Sequence, residues 1–252
     1  MQEPPRSYVL CGTPRTGSTL LCSSLYSTGV LGRPESYFRA PDEVAWATRF
    51  GLATEGGRVR DYRAFVNAAL SAGTSNNGVF GVRIMWGSLE RMMEGLGQVP
   101  GKPDLLILEE ALGPLTFVHL RREDISAQAV SWCRAEQTGY WQQGDVITQE
   151  PHEDIAHMRL LMETIRKHNT AWQAWFDAQG VEPHTVTYEQ LVGDGRCVIQ
   201  GIAAKLAVEL PSNWRPQSLH RKQADELNRA WADALRTSMG PEFTDPTCSG
   251  FL

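Results

Sequence analysis

The chain has 252 residues, 42% of them hydrophobic and 21% charged, with a formal net charge of −5. That composition suits one α/β domain with a sizeable core, and it excludes a polyelectrolyte tail or a strongly basic nucleic-acid binder. No run approaches the ~18 apolar residues of a membrane span and the opening Met1–Arg6 lacks an apolar signal core, so the expected location is cytoplasmic.

From the amino end, Tyr8, Val9 and Leu10 make a short apolar run that Gly12 interrupts, and a polar segment from Thr13 to Thr19 follows. Leu20, Leu21, Leu25 and Tyr26 then recur at helical spacing, which predicts strand, loop and helix, with the helix opening near Ser18 or Thr19. Backbone N–H groups without intrahelical partners would point into a loop freed by Gly12 and Gly17, a setting that suits an anion. The spacing Gly12-x-x-x-x-Gly17 imitates a nucleotide P-loop, yet Ser18 stands where the P-loop lysine belongs. The loop's cation is Arg15.

A Gly32–Phe38 loop leads into residues 39–78, which read as an insertion over the sheet's edge, helical only around Tyr62–Leu70. Val79–Trp86 predicts a buried strand, Leu89–Leu96 a short amphipathic helix, and Leu105–Leu112 a brief apolar segment. Leu115–Leu120 is the clearest central strand. It runs into Arg121, Arg122, Glu123 and Asp124, and Asp124 is placed to cap a helix carrying Ile125, Ala129, Val130 and Cys133. Residues 139–149 read as loop, Glu153–Gln179 as the longest helix, ended by Gly180, and Thr185–Tyr188 as a further strand. Val198–Leu206 is helical, Pro211–Pro216 a linker, and Gln223–Leu235 a closing helix.

Strands alternating with helices predict a mostly parallel sheet covered on both faces, with ligands at the carboxyl ends of its strands. Arg15, Arg83 and the pair Arg121–Arg122 all fall at such ends, and an anionic protein that binds a polyanion must gather its cations locally. His119, inside a strand, reads as a core histidine. The cysteines, Cys11, Cys22, Cys133, Cys197 and Cys248, are scattered without metal-site or disulfide spacing.

Five segments together carry a resemblance: Thr13–Leu21, Gly32–Phe38, Gly78–Trp86, Val118–Asp124 with Gln128–Trp132, and Arg134–Trp141. In this order they resemble the bacterial carbohydrate sulfotransferases of the trehalose 2-sulfotransferase type, with fainter echoes at Ala171–Phe176 and Arg221–Ala224. The resemblance implies a P-loop-like sulfotransferase fold over residues 1–252 as a single domain. It implies transfer of a sulfuryl group from 3′-phosphoadenosine 5′-phosphosulfate (PAPS) to a hydroxyl of a small carbohydrate or glycolipid, without metal. The nucleotide leaves as 3′-phosphoadenosine 5′-phosphate (PAP).

On that resemblance Arg15 is the leaving-group cation, and Thr16, Gly17, Ser18 and Thr19 hold the 5′-phosphate. Glu35 is the general base, although the family's acid falls one residue later, at Ser36 here. Arg122 and Ser131 take the 3′-phosphate, with Arg121 and Ser126 as alternatives in register, and Arg221 and Lys222 close over the nucleotide. Ser36, Tyr37, Arg83, Gln137, Thr138 and Trp141 are expected around the acceptor, since sugars need aromatic faces and planar polar donors. Homodimers have precedent in the family. The rival readings are a P-loop kinase, which the missing lysine opposes, and an inactive nucleotide- or sugar-binding relative.

Overall fold

The computed structural model describes residues 6–141, 144–216 and 226–239. Strand β1 (Arg6–Gly12) leads to helix α1 (Ser18–Ser27); then follow α2 (Ala40–Arg49), the short strands β2 (Thr54–Glu55) and β3 (Arg58–Val59), and α3 (Tyr62–Gly73). The middle of the chain supplies β4 (Val79–Met85), α4 (Trp86–Gly95), α5 (Asp104–Leu112), β5 (Leu115–Arg121) and α6 (Ile125–Thr138). The remainder is α7 (Ile155–Gln179), β6 (His184–Thr187), α8 (Tyr188–Gly193), α9 (Gly195–Lys205) and α10 (Glu226–Ser238).

The main sheet runs β4-β1-β5-β6, and each of its pairings is parallel. Period-2 alternation divides its side chains between two cores. Val9, Cys11, Val82, Ile84 and Phe117 face α2, α3, α4, α5 and α7, whereas Tyr8, Leu10, Val118, Leu120 and Val186 face α1, α8 and α9. Burying both faces requires near-continuous apolar strands, which is what β1, β4 and β5 supply. This is an α/β fold with a parallel sheet between helical layers. Among the described residues no helix is long and apolar enough to cross a membrane.

Two elements differ from the expectation. Residues 40–49 form a helix, α2, whose inward positions include a charged side chain that the structure satisfies: Glu43 is 1% exposed, with Arg91 Nε of α4 at 2.7 Å and Tyr62 Oη at 3.2 Å. A buried carboxylate paired in this way ties the insertion to α4. Tyr188 opens α8 rather than ending β6, since Thr187 and Gln190 form a reciprocal capping box. The expected start of the last helix at Gln223, and the Arg221–Lys222 pair, lie outside the described residues.

Candidate active site

Between Gly12 and Ser18 the chain reverses at the carboxyl edge of the sheet, and the backbone there is left-handed at both Arg15 (φ 65°) and Gly17 (φ 84°). For arginine that conformation costs about 1 kcal/mol and persists only where its surroundings over-determine it. They do so here. Gln128 of α6, fully buried, donates from Nε2 to Thr13 Oγ1 and to the Pro14 carbonyl, each at 2.7 Å. Thr16 Oγ1 donates to the Thr13 carbonyl at 2.9 Å, and Trp172 Nε1 of α7 donates to the Gly12 carbonyl at 3.1 Å. No side chain caps α1, so the amides of its first turn face the bend and add the positive end of the helix dipole.

The cations converge on that bend. Arg15 Nε donates to Ser131 Oγ at 3.0 Å, and its Nη1 donates to the Trp141 carbonyl at 2.5 Å. Burial, with Arg122 beside it, pushes the Arg15 guanidinium below its usual value, and Asp145 pulls it partly back. Arg122 Nη1 donates to the Arg15 carbonyl at 3.4 Å, while Arg122 Nε is buried without a partner. Two crowded guanidiniums, one with an unsatisfied buried N–H, describe a place that lacks negative charge.

Arg83, on β4, binds the two halves of the crevice together. Its Nε donates to Ser36 Oγ at 2.7 Å, and its Nη1 donates to Thr19 Oγ1 at 3.1 Å and to Ser18 Oγ at 3.4 Å. The loop that carries Ser36 reaches β4 because Gly32 has no side chain. A Cβ there would lie 2.8 Å from Gly81 N and 2.9 Å from the Val79 carbonyl, and Gly32 has φ 69°. Glu35 then joins the strand edge, with Arg83 N donating to the Glu35 carbonyl at 3.0 Å. Its carboxylate is half-buried, 3.6 Å from Arg33 Nε.

The expected site residues thus divide. Arg15, Thr16, Gly17, Ser18, Thr19, Arg83, Ser36, Arg122 and Ser131 share one bend and its immediate rim. Of the alternatives in register, Arg121 is the exposed last residue of β5, and Ser126 points inward, its Oγ 4.0 Å from Met162 Sδ. Tyr37 is 0% exposed, its hydroxyl donates to the Arg33 carbonyl, and its ring packs on Trp46, so its side chain is part of the core beside Ser36. Thr138 is also buried, donating to the Arg134 carbonyl at 2.7 Å, and Gln137 Oε1 accepts from His152 N at 3.0 Å. Both polar groups have backbone partners around the end of α6. Trp141 is exposed at the rim.

Sequence reasoning missed Gln128 and Tyr188. Gln128 was legible as a polar residue within the apolar stripe of α6. Tyr188 had a signal in the Thr187-x-x-Gln190 spacing, which marks a helix start. Its ring lies against Gly17 and under Arg122, whose Cζ is 4.4 Å from the ring centroid.

The chain is 25% identical to the trehalose 2-sulfotransferase of Mycobacterium tuberculosis (strain ATCC 35801 / TMC 107 / Erdman) over 98% of this chain and 100% of that protein. It is likewise 25% identical to the trehalose 2-sulfotransferase of Mycolicibacterium smegmatis (strain ATCC 700084 / mc(2)155), over 94% of this chain and 96% of that one. A crystal structure of a sulfotransferase from Alicyclobacillus acidocaldarius overlays 94% of this chain and 93% of its own, with 14% identity and a TM-score of 0.47. The family model for the Stf0 sulphotransferases matches residues 7–238, which takes in the bend and every strand of the main sheet. With nearly the whole chain inside that match, the protein belongs to the Stf0 sulphotransferase family and is a sulfotransferase.

Proposed function

We propose that the protein transfers the sulfuryl group of PAPS to a hydroxyl of a carbohydrate or glycolipid acceptor. The observation that carries this reading is the bend itself: first-turn amides of α1 and the guanidiniums of Arg15 and Arg122 converge on one small volume beside β1. The 5′-phosphosulfate and the 3′-phosphate of PAPS would satisfy both cations. The two curated relatives are named for trehalose, which makes that disaccharide the first acceptor to try.

In this reading the acceptor oxygen attacks sulfur in line as the bond from sulfur to the bridging phosphate oxygen breaks. The electron pair leaves on PAP, and the hydroxyl proton passes to Glu35. As in phosphoryl transfer, position and fixed charge do most of the work; here guanidiniums and helix amides take the place of the Mg²⁺ that phosphoryl transfer uses. Arg15 neutralises the bridging oxygen, the hydroxyls of Ser18 and Thr19 hold the 5′-phosphate, and Ser131 with Arg122 holds the 3′-phosphate. Arg83, already bonded to Ser18, Thr19 and Ser36, bridges the donor and acceptor sides.

The test is to incubate the purified chain with sulfur-labelled PAPS and trehalose. The expected products are labelled disaccharide and PAP in equal amounts. A chain that binds neither PAPS nor PAP contradicts the reading outright, whereas one that binds PAP but leaves trehalose unlabelled requires another acceptor.

A further inference from the structure

Tyr188 lies between the two places where phosphate is expected, and its surroundings fix it from three sides. The parallel register pairs Arg121 with Thr187, so the next residue of each strand, Arg122 and Tyr188, leave the sheet side by side. The capping box then starts α8 at Tyr188: Thr187 Oγ1 accepts from Gln190 N at 3.2 Å, and Gln190 Oε1 accepts from Thr187 N at 3.0 Å. Glu189 Oε2, one residue on, accepts from Glu123 N at 3.1 Å and locks α8 to the bend after β5.

Held there, the ring touches both partners. A Cβ built on Gly17 would lie 2.6 Å from Tyr188 Cδ2 and 3.1 Å from Cε2, so the bend approaches the ring as closely as only glycine allows. On the ring's face sits Arg122, its Cζ 4.4 Å from the centroid. The other contacts of that guanidinium are weak, a 3.4 Å bond from Nη1 to the Arg15 carbonyl and an Nε with no partner. Its orientation therefore depends on the ring.

We propose that Tyr188 is a positioning residue whose ring sets the spacing between the bend at Gly17 and the guanidinium of Arg122, and thereby the preference for a nucleotide that carries a second phosphate. This rests on the PAPS reading above and adds to it the part that measures the distance between the two phosphates. The ring does so by bulk and by its π face, so the hydroxyl is dispensable for that preference.

The test compares the affinities of PAP and adenosine 5′-monophosphate, which differ only in the 3′-phosphate, by calorimetry on the full chain. Tyr188→Phe keeps the ring and is expected to keep the ratio of the two affinities within about twofold, whatever the hydroxyl contributes to both ligands equally. Tyr188→Leu removes the stacking face and is expected to lower that ratio about tenfold, mostly through weaker PAP binding. A Leu variant that keeps the wild-type ratio overturns the proposal, as does a Phe variant that loses as much as Leu. Arg122→Lys gives an independent route that leaves Tyr188 untouched, because lysine retains the charge and loses the planar stack. The ratio should fall there too, and adding Tyr188→Leu should lower it little further; fully additive losses contradict the coupling. A wild-type chain with no preference for PAP removes the nucleotide reading and this one together, while a preference that survives Tyr188→Leu removes this one alone.

Discussion

Arg83 Nε donates to Ser36 Oγ at 2.7 Å, so the residue of the Gly32–Phe38 loop that turns toward the cations is the serine and not the acid before it. Glu35 sits at the same rim, half-buried, with Arg33 3.6 Å away. Swinging that carboxylate toward an acceptor means breaking one exposed ion pair, worth at most about 1 kcal/mol. Glu35→Gln is therefore expected to lower the maximal rate by about 10²- to 10⁴-fold while PAP affinity holds. Ser36→Ala should cost far less, since Arg83 keeps its bonds to Ser18 and Thr19. Steady-state kinetics of both variants checks the assignment, and a larger loss in Ser36→Ala moves the proton-accepting role away from Glu35.

Arg15→Ala should slow transfer sharply and spare the fold. Among its guanidinium's partners are the Ser131 hydroxyl and the Trp141 carbonyl, both at the rim. Losing a cation aimed at a leaving oxygen costs about 10²- to 10³-fold in rate by comparison with other oxyanion-stabilising groups. Thermal unfolding should move little, because the bend keeps its anchors at Gln128, Thr16 and Trp172. Near-normal turnover in this variant would remove Arg15 from the chemistry.

Much of the scaffold was legible because its physics is local. Strands β1, β4 and β5 declare themselves as apolar runs, and Gly17 and Asp124 mark where α1 and α6 begin, Asp124 by accepting from Ala127 N at 2.9 Å. What escaped depended on partners distant in sequence. Glu43 faces inward on α2 and breaks the apolar stripe that would have announced a helix, and Arg91 and Tyr62, far along the chain, make its burial tolerable. The same holds in the site. That Arg15 meets Ser131, and Arg83 meets Ser36, follows from strand order and register, which spacing alone does not encode. Gln137 and Thr138 are expected at the acceptor from their chemistry, and spacing does not reveal the backbone partners they also have, the Arg134 carbonyl for Thr138 and His152 N for Gln137.

Gln128 is expected to matter as much as any residue that would touch a ligand. One amide group satisfies both the buried Thr13 hydroxyl and the Pro14 carbonyl, and so keeps Arg15 in its left-handed conformation. Gln128→Leu leaves those atoms without a donor, a loss of about 1–3 kcal/mol. Both the unfolding midpoint and PAP affinity should fall. A variant that loses stability yet binds PAP at full strength would show that the bend holds its shape without the clamp.

The last expectation concerns acid. His119 is 2% exposed on β5, its ring packs edge-on to Phe176 at 5.3 Å, and its Nε2 has no partner. Burial first, and Arg121 second, push its pKa down to about 4. The unfolded chain, with a histidine near ~6.5, takes up a proton well before the folded chain can. Unfolding is therefore favoured by protons between those two values: the stability from a neutral buried ring is complete above about pH 6.5 and declines as pH falls toward 4. Across the whole window the loss is on the order of 3 kcal/mol. Burial lowers the pKa of His168 and His184 as well, so the wild-type loss includes their share. His119→Phe removes the titrating ring and keeps a planar group against Phe176, so its urea midpoint should change less between pH 7 and pH 5 than that of the wild-type chain. If the two chains lose stability equally over that interval, His119 is protonated in the folded state or reaches water, and its assignment as a neutral core residue is wrong.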